Sequence, residues 1–207
     1  MSANDPKLQQ ALHDLTAVLK KTGAAWMIIG GIAVIARGVR RLTTDIDAAI
    51  RGDEIEIDAL ITALAAKRIV PRNTNPALFA RQNLVLLVKH EPTGVDLDLS
   101  FAWTSFEQEA LAAATSAKFG VEKAPMALAK DLVVFKAYAG RGKDLDDVVA
   151  LLVLYPRIDL AYARSHVRDL AELADRPEAV RNLEEAVVKA ARLKKAPKRS
   201  GAPKGKK

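Results

Sequence analysis

The stretch Ala24-Ala25-Trp26-Met27-Ile28-Ile29-Gly30-Gly31, followed by Arg41-Leu42-Thr43-Thr44-Asp45-Ile46-Asp47, decides how the rest of the chain is read. Residues 24–29 form a short continuous apolar run that stops at two glycines, the pattern of a buried strand feeding a glycine turn. Gly31 to Arg37 has helical composition, with Gly38 as its stop. Leu42 to Ile50 then alternates: Thr43, Asp45 and Asp47 fall on one face, Leu42, Ile46 and Ala48 on the other. A second strand with a polar edge is predicted. Thirteen residues between Gly31 and Asp45 suffice for a short helix and a return to a neighbouring strand.

Outward from this unit, Asp5-Pro6 resembles an N-cap followed by a first-turn proline, and Leu8, Leu12, Leu15 and Leu19 recur at helical spacing over Lys7 to Lys21. Downstream, Glu54 to Arg68 reads as an amphipathic helix, followed by a loop from Pro71 to Pro76. Asn83 to His90, the turn signal Glu91-Pro92-Thr93-Gly94, and Val95 to Phe101 predict a β-hairpin with Asp96, Asp98 and Ser100 on one face of its second strand. From Ser105 onward the pattern becomes helical, with helices predicted over 106–114, 126–139, 144–154, 159–173 and 177–193. The chain shows no internal repeat. The expected organisation is an α/β core over residues 1–122, a helical portion over 123–193, and a disordered basic tail over 194–207.

Of the 207 residues, 50% are apolar and only 5% aromatic, so an aliphatic, helix-rich core is expected. Cysteine is absent, which excludes disulfide scaffolds, thiol nucleophiles and Cys-ligated metals. His13, His90 and His166 are far apart in sequence, and a His-rich metal cage is not expected. The formal charge of +7 suggests a polyanionic partner, but residues 194–207 hold seven basic and no acidic residues, so residues 1–193 are formally neutral. The N-terminus lacks the order of a signal peptide and no apolar run approaches ~20 residues, so a cytoplasmic protein without a membrane partner is expected. Gly-x-Ser-x-Gly, P-loop and three-glycine dinucleotide patterns do not occur. Trp26, Trp103 and Tyr138 are isolated and read as packing residues.

With 15 aspartates in the chain, about one Asp-x-Asp pair arises by chance; there are three, Asp45/Asp47, Asp96/Asp98 and Asp144/Asp146. Two lie on predicted strands, where a spacing of two puts both carboxylates on one face, ~7 Å apart. Aspartate is disfavoured in strands, and like charges on one face repel unless a cation lies between them. Such pairs suit Mg²⁺, which takes one or two carboxylates plus substrate phosphates. On the other reading, Asp45 and Asp47 line a solvated edge and pair with Arg40, Arg41 or Arg51.

The combination of Gly30-Gly31, Asp45-Ile46-Asp47 and Val95-Asp96-Leu97-Asp98-Leu99 resembles the nucleotidyltransferases of the DNA polymerase beta-like superfamily. Phe135-Lys136 through Lys143-Asp144 makes the chain similar to the minimal, AbiEii-type members, a group that includes toxins of toxin–antitoxin systems. The resemblance spans about residues 24–152. It implies an α/β (α+β) fold, a mixed sheet with flanking helices and a C-terminal helical portion. It also implies transfer of a nucleoside monophosphate from a nucleoside triphosphate to a hydroxyl on RNA (such as tRNA), protein or a small molecule, with Mg²⁺ or Mn²⁺, and an antitoxin partner.

Carried over by position, Asp45 and Asp47 would ligate the metals that bind the triphosphate. Asp98 would hold the catalytic metal and help deprotonate the acceptor, with Asp96 as its competitor for that role. Gly30 and Gly31 would approach the phosphates through backbone, although Gly-Gly in place of Gly-Ser removes a hydroxyl donor. Arg41, Thr43, Lys136 and Asp144 complete the implied nucleotide-binding set; each also has an ordinary structural explanation, Lys136 as a solvated helix lysine and Asp144 as a first-turn helix acid. A different class of function on the same scaffold is a catalytically inactive nucleotide- or nucleic-acid-binding protein whose tail supplies the affinity.

Overall fold

The computed structural model describes residues 5–195. It opens with helix α1 (Pro6–Thr22), capped by the Asp5 carboxylate, which accepts from the Lys7 N–H at 2.8 Å, and closed by Gly23 at φ +78. Then come β1 (Trp26–Ile28), α2 (Gly30–Ala36), β2 (Asp45–Arg51), α3 (Ile57–Ala65), β3 (Ile69–Pro71), α4 (Pro76–Asn83), β4 (Val85–His90), β5 (Val95–Ala102) and α5 (Ser105–Ala113). The hairpin β6 (Thr115–Phe119) and β7 (Glu122–Met126) follows, and α6 (Ala129–Ala139), α7 (Gly142–Leu154), α8 (Leu160–Leu173) and α9 (Glu178–Lys195) complete the described chain.

The strands form one mixed sheet in the order β3-β4-β5-β2-β1-β7-β6. Neighbours run antiparallel except β2 with β5 and β1 with β7, which are parallel. Buried Ile46, Ala48 and Ile50 alternate along β2 with half-buried Asp45 and Asp47, so one face is apolar and the other carries carboxylates. Leu8, Leu12, Leu15 and Leu19 of α1 are fully buried, and α1 contacts β2, β5 and β7. Each such leucine contributes roughly 1.5–3 kcal/mol of burial. The helices α6 to α9 pack against one another and are joined to the sheet through α2, which contacts α6.

Two expectations are corrected and one helix is added. The helical pattern begins at Ser105 with α5 but does not continue unbroken, because residues 115–126 form a two-stranded edge, and Met126 ends β7 rather than opening a helix. Only Phe119, Ala124 and Met126 are buried in that hairpin, so its apolar alternation is too thin to read. The loop expected from Pro71 to Pro76 is present, and beyond it stands an element that was not expected: a proline-initiated helix, α4, fills residues 76–83 ahead of β4. The polar-edged strand starts at Asp45 rather than Leu42, and residues 42–44 approach it as irregular chain. The hairpin β6–β7 matters for the site. Met126 pairs with Ile28, and the Ala127 N–H donates to the Ile28 carbonyl at 3.0 Å, which delivers α6 next to the glycine turn after β1. Arg37 braces this joint by donating to the carbonyls of Ala127 (2.8 Å) and Met126 (2.7 Å).

Lys194 and Lys195 belong to the last helix, and residues 196–207 of the basic tail lie outside the described residues. Among the described residues no helix is long and apolar enough to cross a membrane.

Candidate active site

The parallel register of β2 and β5 sets Asp45 opposite Asp96 and Asp47 opposite Asp98. Register partners in adjacent strands project to the same face, so the structure gathers four carboxylates there, on strands ~4.8 Å apart. The glycine turn closes over this face. Gly30 is left-handed (φ +60), and a Cβ built on it would lie 1.8 Å from Asp47 Oδ2; one on Gly31 would lie 2.3 Å from Thr43 Oγ1. No side chain fits at either position, and the turn residues are glycine because Asp47 and Thr43 press against bare backbone.

The electrostatics separate the carboxylates. Asp47 is pushed up to about 6, first by burial and then by the charge of Asp45, with Asp98 adding to the rise against the pull of Lys136 and the Gly31 N–H. Asp98 is also raised, by burial and by Asp45 and Asp96, with Arg72 opposing. For Asp45, burial is outweighed by the Thr43 hydroxyl, which donates to Oδ1 at 2.7 Å, and by the charge of Lys143, so its pKa is lowered. Negative charge is thus concentrated where one more proton or cation is favoured.

Cations border this face on two sides. On the helical side Lys136 is buried and donates to Asp144 (2.7 Å) while lying 3.3 Å from Asp147; Arg41 pairs with Asp147, and Arg141 donates to Asp144 at 2.5 Å. Burial would raise Asp144, but its hydrogen bonds from Arg141 and Lys136 hold it below the usual range. On the sheet edge, Arg72 pairs with Asp98 and lies 3.4 Å from Asp96, which Lys89 reaches at 3.3 Å.

The structure therefore brings Gly30, Gly31, Thr43, Asp45, Asp47, Asp96 and Asp98 together, with Arg41 at their border. Lys136 and Asp144 sit beside them as a buried pair rather than as open ligands, and Lys136 is not a solvated helix lysine. Of Arg40, Arg41 and Arg51, named as alternatives to pair with Asp45 and Asp47 on a solvated edge, two go elsewhere, Arg41 to Asp147 and Arg51 to Glu54. Sequence reasoning missed Asp147 and Arg72. Asp147 is three residues after Asp144, so both share one side of α7 among buried Val148, Leu151 and Leu152, a signal of internal pairing. Arg72 carries no local signal, since it reaches Asp98 from a loop across β4.

Among the described residues no three acidic or histidine side chains converge so as to hold a metal ion by themselves. The donor chemistry nevertheless suits a hard divalent cation. Asp45, Asp47 and Asp98 offer carboxylate oxygens, burial and then the neighbouring carboxylates raise Asp47 and Asp98, and Mg²⁺ commonly completes its shell with water and substrate phosphates.

Comparison with solved structures identifies the fold. The solution structure of the antibiotic-resistance factor ANT(2'')-Ia aligns over 86% of this chain and 97% of its own, with a TM-score of 0.54 and 16% identity. The crystal structure of ANT(2'')-Ia in complex with adenylyl-2''-tobramycin aligns over 80% and 98%, with a TM-score of 0.55 and 15% identity. An antigenic nucleotidyltransferase-like protein from Paracoccidioides brasiliensis aligns over 89% and 94%, with a TM-score of 0.51 and 17% identity. The chain has the nucleotidyltransferase-like fold, a mixed α/β sheet with flanking helices. No family model and no curated protein matches the sequence.

Proposed function

We propose that the protein is a metal-dependent nucleotidyltransferase that moves a nucleoside monophosphate from a nucleoside triphosphate to a hydroxyl acceptor and releases pyrophosphate. One observation carries the reading: Asp45, Asp47 and Asp98 share one face of adjacent parallel strands, directly against a glycine turn that admits no side chain. That ANT(2'')-Ia, a protein of this fold, was solved with the nucleotidylated compound adenylyl-2''-tobramycin supports it.

In this reading Asp45, Asp47 and Asp98 hold Mg²⁺ or Mn²⁺, which when bound neutralises phosphate charge and lowers the pKa of the attacking hydroxyl. The chain's own residues do the rest. Gly30 and Gly31 let the phosphates approach the backbone, where the Gly31 N–H already meets an anion, the Asp47 carboxylate. Thr43 fixes the orientation of the Asp45 carboxylate. Arg41, Arg141 and Lys143 supply positive charge toward the triphosphate, Arg141 and Lys143 being within electrostatic reach of Asp45. Lys136 and Asp144 tie α6 to α7 and keep Arg141 in place, and Asp147 with Arg41 ties α7 to the chain ahead of β2. Asp98 Oδ borders a cleft of about 340 Å³ and accepts the proton of the acceptor hydroxyl there.

The narrower assignment is an AbiEii-type enzyme acting in the cytoplasm, where nucleoside triphosphates are abundant, with an RNA acceptor such as tRNA and an antitoxin partner. It rests on the sequence resemblance over residues 135–144. The test is incubation with each α-labelled nucleoside triphosphate, Mg²⁺ or Mn²⁺, and total RNA, protein or small polyols. Label transfer that disappears in Asp45→Ala is expected; its absence with every pair overturns the reading. Growth arrest on expression that Asp47→Ala fails to relieve overturns the catalytic toxin form.

A further inference from the structure

The ion pairs on the two sides of the carboxylate face differ in burial. On the helical side the side chains of Arg41, Asp147, Lys136 and Asp144 are at most 15% exposed. On the sheet edge Arg72 is 28%, Asp96 42% and Asp98 43% exposed. A buried pair is held in place because separating it strands a charge out of water, whereas partners in an exposed pair exchange freely.

The position of Arg72 follows from the sheet. Its N–H donates to the Leu87 carbonyl at 3.0 Å, Leu87 pairs with Asp98, and Asp98 pairs with Asp47. Arg72, Leu87, Asp98 and Asp47 therefore lie in one row across four adjacent segments of chain. The backbone of Arg72 is pinned, so its guanidinium can leave Asp98 by side-chain rotation alone. It already lies 3.4 Å from Asp96 through its other terminal nitrogen, and Asp45, Arg72, Gly94, Asp96 and Asp98 line the same cleft, which leaves room for that rotation.

We propose that Arg72 is a displaceable counter-ion: its guanidinium and a divalent cation compete for the Asp98 carboxylate, so Arg72 sets the cation concentration at which the site loads. The physical reason is direct. Both cations need the same carboxylate oxygens, and a guanidinium beside a divalent ion would set like charges within contact distance. On displacement Arg72 retains Asp96. Arg72 is thus a positioning residue acting through Asp98, and the inference rests on the reading of Asp98 as a cation ligand.

The test is Mn²⁺ alone, without nucleotide, titrated into the full chain with free Mn²⁺ read by electron paramagnetic resonance. Arg72→Ala is expected to tighten Mn²⁺ binding roughly tenfold. Lys89→Ala removes a charge that serves Asp96 only and is expected to shift the affinity far less. Arg72→Ala binding Mn²⁺ no more tightly than the wild type overturns the proposal, and so does an equal gain in Lys89→Ala, which would indicate a general field. A second measurement uses the wild-type chain: the rate of phenylglyoxal modification of Arg72, mapped by peptide mass, is expected to rise several-fold with saturating Mn²⁺, and a rate unchanged by Mn²⁺ overturns the proposal even if Arg72→Ala does not fold. The label-transfer assay keeps the two readings apart, because absence of nucleotidyl transfer sinks the proposed activity and leaves the Mn²⁺ competition standing.

Discussion

Asp47 is the register partner of Asp98 across the parallel strands β2 and β5, and its carboxylate presses on the bare backbone of Gly30. Two like charges are thereby held on adjacent strands, one of them in a place where water is largely excluded. A protein folds this way at a cost in stability, and such a cost is typical of sites built to receive a cation or a substrate.

Asp47 links stability to pH in a defined direction. Its pKa is about 6 in the folded chain against 3.8 for a free aspartate. The folded state holds the proton more tightly, so the stability contributed by the protonated carboxyl is fully present below pH ~4 and is lost as pH rises through 6. Asp47→Asn should therefore melt higher than the wild type at pH 7.5 in a chelator, with the gap closing between pH 6 and 4, while nucleotidyl transfer is abolished. Thermal melts across pH 4–8 check this, and a gap independent of pH would contradict it.

Gly30→Ala puts a methyl group on Asp47 in a left-handed backbone position. We expect a loss of roughly 2 kcal/mol or more of stability, together with loss of transfer. Gly23→Ala, also left-handed but with open space around its Cβ, should cost about 1 kcal/mol and spare activity. Urea denaturation of the two variants side by side separates a steric clash with Asp47 from backbone strain alone.

Lys136→Ala leaves Asp144 and Asp147 without their shared ammonium in the protein interior. A destabilisation of about 2–3 kcal/mol is expected, less than for a wholly unpaired buried charge because Arg141 stays on Asp144 and Arg41 on Asp147. Lys143→Ala, at an exposed position, should leave stability within about 0.5 kcal/mol yet raise the KM for the nucleoside triphosphate, because the charge of Lys143 acts on Asp45. Equal losses of stability in the two variants would argue against the buried network.

Removal of divalent cations with a chelator should abolish transfer. In thermal-shift measurements a nucleoside triphosphate should raise the melting temperature only when Mg²⁺ is also present. At a hundredfold excess over Kd the stabilisation is about 2.7 kcal/mol, enough to be read as a shift of several degrees. The double variant Asp45→Asn/Asp47→Asn should show no shift. A shift of the same size without Mg²⁺ would place the nucleotide elsewhere.

The elements that carry the site were legible because their signals are local. The apolar run ending at Gly30-Gly31, the alternation around Asp45 and Asp47, and the hairpin leading to Asp98 each depend on residues within a few positions of one another. The Asp5-Pro6 cap and the leucine stripe of α1 belong with them. Missing were β3 and the β6–β7 hairpin, which are short and carry few buried side chains, and α4, whose Leu78 is exposed and whose apolar face is narrow. The partners of Lys136 lie on another helix, and Arg72 acts across a neighbouring strand, so neither relation leaves a mark at sequence spacing.

By itself the sequence determined where the candidate site's parts stand along the chain: glycines where a side chain cannot stand, and carboxylates sharing a strand face. Those properties follow from backbone sterics and from the two-residue repeat of a strand, which act at short range. Only the tertiary structure decided which carboxylate faces which, that Lys136 and Asp144 are spent on each other with Asp147, and that Arg72 holds Asp98. Register and helix docking are set by burial summed over the sheet and its flanking helices, a long-range balance that no single stretch of the chain contains.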